Sequence, residues 1–268
     1  MADPIAAAEH VLNEIGIARV EDLSLLELIA WERGALVRST YLTGAEARIA
    51  MAGERAIITV STAVRDPRRR RFSVAHELGH LEMHRTESGL ALCASADIDD
   101  SQSQRPYAGR EQEANRFAAA LLLPERFFKP LCRKKEPSLD LIAGLADTFE
   151  VSLTATALRY LQFCNEACAI VFSRDGTIKW FRGSKYFDEL KVFIPVARRL
   201  DQSSLAGSFF QGETVPMTRT RVYASTWFVL GRYNRDATIY EQSWSMPSQN
   251  AVLTLLWIAD DIEEDDDY

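Results

Sequence analysis

Two histidines four residues apart, with a glutamate beside the first, are the residues of this chain best suited to chemistry: His76-Glu77-Leu78-Gly79-His80. On a helix, positions i and i+4 sit one above the other on a single face. Two imidazoles so placed can reach one Zn²⁺ at about 2.0–2.1 Å each. Glu77 then points toward the water on that ion and can take its proton. The chain has only 4 His, so two of them around a Glu at this spacing is not a pattern to expect by accident. Arg71 to Ala75 lead into the motif with no Gly or Pro to stop a helix, and Pro67 suits its first turn.

A hydrolytic zinc site takes three protein ligands and leaves a fourth position open. The extended pattern H-E-x-x-H-x-x-G-x-x-H does not supply the third, because Met83 and Thr86 stand where its Gly and last His would be. His84 continues the i, i+4 series but lies about 12 Å from His76 along a straight helix. It reads as a polar residue near the helix end, where a cation is favoured, with donation to an oxyanion as its other use. The third ligand is therefore expected from a second helix, Glu111 to Pro124. Ala114, Phe117, Ala118 and Leu121 form its inward stripe. Glu111 stands at the edge of that stripe and is the preferred ligand. Glu113 is turned further away, reads as a solvent or salt-bridge residue, and is the alternative ligand. Asn115, one turn past Glu111, is placed to hydrogen-bond a ligand histidine from behind.

Arg71-Phe72-Ser73-Val74-Ala75-His76-Glu77-Leu78-Gly79-His80-Leu81, followed by Glu111 to Pro124, resembles the ImmA/IrrE family of metallo-endopeptidases. In that family H-E-L-G-H and E-x-x-A-N-x-F-A-x-x-L-L-x-P supply the zinc site. The resemblance covers roughly the first 165 residues. It implies His76 and His80 as ligands, Glu77 as base and Glu111 as third ligand. It also implies a substrate, a helix-turn-helix repressor cut in response to stress, including DNA damage.

A chain of 268 residues with 47% hydrophobic and 26% charged residues has the composition of an ordinary globular protein of one large or two modest domains. Its net charge of −7 argues against a broad nucleic-acid-binding surface. No apolar run approaches the ~18 residues of a membrane span. Met1-Ala2-Asp3-Pro4 lacks the basic start of a secretory signal. Cys93, Cys132, Cys164 and Cys168 do not suggest a disulfide framework, and a reducing cytoplasm is the simplest setting. Cys164 and Cys168 have the spacing of a C-x-x-x-C metal pair, but no second pair accompanies them, and ordinary buried thiols are preferred.

The elements that must hold the motif follow from periodicity. Pro4 to Ile15 reads as a helix stopped by Gly16, and Ser24 to Glu32 as a second. Ala35 to Leu42, Ala47 to Met51 and Ala56 to Val60 read as strands, the last two a hairpin broken at Gly53. The edge of such a sheet can pair with an extended peptide and align it with the metal. The basic run Arg68 to Arg71 is poorly placed at a helix start, so it is expected to be solvated or paired with acids. Arg85 to Arg110 reads as a long loop that could overhang the cleft, with Tyr107 as a packing residue or oxyanion donor.

Glu125 to Cys132 reads as a short helix, Arg133 to Lys135 as a basic linker, and Ser138 to Phe163 as two short helices resembling a helix-turn-helix. Its second helix carries one basic residue, Arg159, while Asp140, Asp147 and Glu150 lie nearby. Phosphate contacts need Lys and Arg, so a structural or protein-docking role is preferred over DNA binding. Beyond it, Asp175-Gly176 marks a hairpin turn. Asp188 to Leu200 reads as a helix weakened by Pro195, and Arg219 to Leu230, Ala237 to Trp244 and Ala251 to Ala259 read as strands. Asp260 to Tyr268 is an acidic tail.

The chain is expected to be α+β. A zincin-like peptidase domain with a small sheet and the H-E-x-x-H helix spans 1–132. A helix-turn-helix-like segment spans 133–165, a mixed α+β sensor-like or substrate-binding domain 166–260, and the tail 261–268. The expected function is a cytoplasmic zinc endopeptidase, with Zn²⁺ or Mn²⁺ on His76, His80 and Glu111, Glu77 as base and a helix-turn-helix repressor as substrate. The alternatives are a DNA-binding regulator or a non-catalytic repressor-binding scaffold with a structural metal.

Overall fold

A computed structural model describes residues 3–85, 90–93, 108–132, 135–229 and 237–259. Among the described residues the fold is α+β with two sheets. The chain divides into two compact units, Met1–Phe128 with Ala146–Ser152, and Lys129–Leu145 with Leu153–Tyr268.

The first unit begins with α1 (Pro4–Ile15). Asp3 caps it by accepting from the Ile5 N–H, Pro4 occupies its first turn, and Gly16 closes it at φ 77°. That left-handed conformation is cheap only without a Cβ. A 3-10 turn over Val20–Leu25 leads into α2 (Leu26–Glu32), so the expected second helix starts later than its periodicity suggests. Strands β1 (Ala35–Thr40), β2 (Ala47–Ala52), β3 (Arg55–Ser61) and β4 (Leu90–Cys93) form a sheet in the order β1-β3-β2-β4. β2 and β3 are the expected antiparallel hairpin, with Ile49 opposite Ile58 and both fully buried. β4 lies inside the stretch read as a long loop; Tyr107 and the acidic tail lie outside the described residues.

Helix α3 (Pro67–His84) carries the motif. Asp66 caps it, accepting from the N–H groups of Arg68 and Arg69. The basic run that follows is paired with acids, as expected. Arg68 meets Asp147, Arg69 meets Glu46, Arg70 meets Glu27 and Arg71 meets Glu150. Near its other end, Glu82 accepts a two-pronged hydrogen bond from Arg33, at 2.9 and 2.8 Å. Helix α4 (Ala108–Leu122) packs along α3. Ala114, Phe117, Ala118 and Leu121, the predicted stripe, are buried.

Helix α5 (Glu125–Cys132) runs across the division between the units. α6 (Leu139–Phe149) and α7 (Leu153–Phe163) meet at 111°, joined through Glu150 at φ 53°. That angle lies in the range of a helix-turn-helix pair. Among the described residues, no single helix is long and apolar enough to cross a membrane.

The second unit is built on an antiparallel sheet in the order β6-β5-β9-β8-β7. Its strands are β5 (Ala167–Arg174), β6 (Thr177–Gly183), β7 (Thr220–Tyr223), β8 (Thr238–Met246) and β9 (Ala251–Ile258). Asp175 and Gly176, at φ 54° and 70°, make the expected hairpin turn. Central β9 is buried along its whole length, which explains a sequence that is apolar at every position but Thr254.

Two expected elements differ. The helix read at Asp188 to Leu200 is absent: α8 (Lys185–Glu189) ends where the reading began. Pro195 cannot donate to a helix interior. The segment instead bonds to the β5–β6 hairpin, through Ala197 N–H to Ile178 O and Leu200 N–H to Gly176 O. The strand read at Arg219 to Leu230 stops at Tyr223, and a 3-10 turn over Ala224–Thr226 turns Ala224, Trp227 and Phe228 into the core. A short helix, α9 (Leu205–Phe210), capped by Ser204, was not foreseen.

Glu241 fixes that core from within. Fully buried, it accepts from Trp227 Nε1 at 2.9 Å, Ala206 N at 2.9 Å and Ser243 Oγ at 3.2 Å. Burial pushes its carboxyl above the ordinary value, and these donors only partly offset that. Glu241→Leu fills similar space but leaves two buried N–H donors without an acceptor, each costing about 1–3 kcal/mol. Urea unfolding should show a loss of about 3 kcal/mol; a loss under ~1 kcal/mol would mean that the donors find other partners.

Candidate metal centre

The structure brings His76, His80 and Glu111 together. His76 Nε2 lies 3.0 Å from Glu111 Oε2, His80 Nε2 lies 3.3 Å from Glu111 Oε1, and the two Nε2 atoms are 3.1 Å apart. Four ligands about 2.0–2.1 Å from a tetrahedral ion are separated by about 3.3–3.4 Å. Measured to the nearer Glu111 oxygen for each histidine, these separations are close to the edge of such a tetrahedron. Both histidines are buried and Glu111 is partly exposed. Two imidazoles and one carboxylate are the donor set of a site that keeps its fourth position open. The residues present fit a divalent ion.

The groups behind the ligands set the tautomers. His76 Nδ1 lies 2.9 Å from Asn115 Oδ1, an oxygen that can only accept. Nδ1 therefore carries a proton and Nε2 faces Glu111: protonated it donates to that carboxylate, and deprotonated it would offer its lone pair to an ion. His80 Nδ1 lies 3.1 Å from His84 Nδ1, and His84 Nε2 lies 2.9 Å from Glu113 Oε2. The consistent assignment is a chain in which His80 donates to His84, and His84 donates to Glu113. His84 is the last residue of α3, as its position suggested, and it also stands behind His80, a contact that position alone did not reveal. Its spacing was the available signal: four residues past His80, it shares the same helix face. Asn115 supports His76 as expected, and Glu113 pairs with a histidine.

The electrostatics favour positive charge at the centre. Burial disfavours protonation of His76, but Glu111's hydrogen bond and the charges of Glu77 and Glu111 outweigh it and raise its pKa. Burial lowers that of His80; Glu111 opposes, while His76 and His84 reinforce the drop. Burial would raise Glu111, but hydrogen bonds from the two histidines hold its carboxyl far below the ordinary carboxylate range. Glu77 is wholly buried beside His76.

Gly79 makes this geometry available. A Cβ there would lie 3.0 Å from Ala114 Cα, 3.1 Å from Ala114 O and 3.2 Å from Phe117 Cβ. Two of these atoms are backbone, which cannot rotate away. Reading the motif as H-E-x-x-H treats this position as arbitrary, yet it sets how closely α3 approaches α4.

Three outcomes follow for metal binding. Glu111→Ala should abolish stoichiometric metal uptake, because two ligands remain. Glu113→Ala should keep the metal with about tenfold weaker affinity, the usual scale for losing an outer partner. Metal titration showing the reverse order would reassign the third ligand. Gly79→Ala should separate the helices, costing about 1–3 kcal/mol of stability and weakening metal binding as well. An unchanged metal affinity in a folded Gly79→Ala protein would show that the close approach does not set the site.

Residues 32–161 match the family model described as the IrrE N-terminal-like domain, a peptidase family. A solved Mycobacterium tuberculosis transcriptional regulator superposes with a TM-score of 0.57 at 18% identity, over 96% of this chain and 77% of that one. At that identity the likeness is one of fold. No curated protein sequence matches the chain. The stretch from residue 32 to 161, which contains α3 and α4 with His76, Glu77, His80 and Glu111, belongs to the IrrE N-terminal-like peptidase family.

Proposed function

We propose that this protein is a metal-dependent endopeptidase. The observation that carries the reading is the convergence of His76, His80 and Glu111 within 3.0–3.3 Å, with Glu77 buried next to the first ligand. These three residues would hold Zn²⁺ or Mn²⁺. Such an ion, when bound, lowers the pKa of a water and polarises a peptide carbonyl. Glu77 takes the proton of the attacking water and passes it to the leaving amine. Asn115 holds the His76 ring, while His84 and Glu113 hold that of His80, so both Nε2 lone pairs stay aimed at one point.

The substrate we propose is a helix-turn-helix repressor, cut in a cytoplasmic stress response. This follows from the motif resemblance, and the similar M. tuberculosis structure is itself named a transcriptional regulator. Direct DNA binding through α6 and α7 is not part of the proposal. Asp147 and Glu150, at the turn between them, are already engaged with Arg68 and Arg71 at the start of α3.

Glu77→Gln separates an enzyme from a scaffold that only holds a repressor. The amide is nearly the same size and is no base at neutral pH, so metal content and repressor affinity should stay as they are. Cleavage should fall by about 10²–10⁴. The measurement is chelator-sensitive cleavage of helix-turn-helix repressors, read by mass spectrometry, alongside metal analysis and repressor binding. Equal cleavage by both forms would remove Glu77 from the mechanism, and binding without cleavage by either would favour the scaffold.

A further inference from the structure

The second unit holds a cavity of about 390 Å³ that is unrelated to the metal centre. Cys132, Lys135, Tyr160, Cys164, Glu166 and Trp257 are among the residues that line it. Cys168 sits behind its wall, fully buried, with its Sγ 3.8 Å from Cys164 Sγ. Neither cysteine is in a disulfide. We propose that Cys164 and Cys168 are a peroxide-reactive thiol pair: a small hydroperoxide entering the cavity oxidises Cys164, and Cys168 then closes a disulfide with it.

The geometry selects these two roles. A disulfide needs the sulfurs about 2.05 Å apart, so the pair has less than 2 Å to close. Cys164 directly follows the last residue of α7, and residues 164–166 lie outside both α7 and β5. The backbone there can adjust without breaking a strand ladder. Only Cys164 of the pair lines the cavity, so it meets the oxidant first.

The chemistry selects the same order. The Cys168 thiol is the strongest influence lowering Cys164. Burial opposes it, and the Tyr160 hydroxyl and Glu166 N–H add to it, leaving Cys164 at about 7. A large share is thiolate at neutral pH, and the thiolate is the nucleophile. Burial pushes Cys168 the other way, so it keeps its proton and acts second. Burial likewise pushes Cys132, the other thiol on the cavity wall, up to about 12. A bound metal is the weaker reading of the pair. Among the described residues, the one group of three metal-ligating side chains within range of one another is His76, His80 and Glu111.

In the first step the Cys164 thiolate attacks the outer oxygen of the hydroperoxide. The O–O bond breaks, and the alkoxide or hydroxide leaves and takes up a proton. Cys164 becomes a sulfenic acid. In the second step Cys168 sulfur attacks Cys164 sulfur, the S–O bond breaks, and water leaves with the Cys168 proton. Two thiols and one hydroperoxide give one disulfide, one alcohol or water, and one further water. An external thiol reverses it.

The sequence provides a direct readout. Trypsin cuts after Arg159 and Arg174 with no Lys or Arg between, so Cys164 and Cys168 leave on one peptide, Tyr160–Arg174. The full-length reduced protein is treated with one equivalent of hydrogen peroxide, alkylated and digested. The peptide should lose two hydrogens and resist alkylation, with reversal by dithiothreitol. Cys132→Ser should change nothing, and Cys164 should be consumed at least about tenfold faster than Cys132. Cys168→Ser should accumulate a dimedone-reactive sulfenic acid at Cys164. That positive signal holds even where a Cys164→Ser variant fails to fold. Three results would overturn the proposal. They are a cross-link from this peptide to one carrying Cys132 or Cys93, dimedone labelling in a protein that keeps Cys168, and equal reaction of all four thiols.

Discussion

The close contact of α3 with α4 at Gly79 and Ala114 is the constraint on which the clustering of His76, His80 and Glu111 depends. The Glu111 side chain has a short reach. Its two oxygens meet both histidine Nε2 atoms within 3.0–3.3 Å only because the helix backbones come together one turn away. A methyl group at Gly79 would press on the backbone of Ala114, so the approach is fixed by something that cannot rotate aside. The small residues Ala114 and Ala118 on the facing helix, both buried, serve the same end. Packing here is the positioning device, and the hydrogen bonds that His76 and His80 make to Asn115 and His84 refine ring orientation within it.

Around that contact, charge orients α3 more than it stabilises it. Four arginines at a helix start are unfavourable to the helix dipole. Their acidic partners come from four separate places: α2, the approach to β2, the end of α6 and the turn after it. The more accessible of these pairs, Arg68–Asp147 and Arg70–Glu27, are worth about 0–1 kcal/mol each. Their value is geometric, since each ties the helix start to a different neighbour. The 111° corner between α6 and α7 therefore has a use inside the first unit: its acids help seat the helix that carries the motif.

The second unit solves a different problem, that of polar groups inside an apolar core. Glu241 gathers three donors, two of them buried N–H groups. Ser243 also pairs with Thr254 across β8 and β9 at 2.8 Å. Cys164 and Cys168 are held by the same logic of satisfied burial: the Glu166 N–H reaches one sulfur, and the Ser184 hydroxyl accepts from the backbone N–H of Cys168. Unlike Glu241, one of the two thiols faces a cavity, which turns a packing detail into a site where chemistry can reach the core.

Local chemistry was written plainly in the chain. The i, i+4 spacing put His76 and His80 on one face, Asp66-Pro67 marked where their helix starts, and Asp175-Gly176 marked a hairpin. These follow from backbone geometry within one element, so a few residues suffice. The helix expected at Asp188 to Leu200 failed because its backbone donors go to a distant hairpin, which no local pattern encodes. The same limit applied to the acidic pair on α4. Glu111 and Glu113 are two residues apart and so point to roughly opposite sides of the helix. Periodicity gave a preference between them, but which one faces the Nε2 atoms depends on how α4 is rotated against α3. The contact of Gly79 with Ala114 settles that rotation, turning Glu111 to the two histidines and Glu113 to His84. Residue types and local spacing were enough to name the side chains that could make a metal site. Which of these side chains meet at one point and which stand behind them was decided by tertiary packing, because it depends on the relation between two helices and not on either one alone.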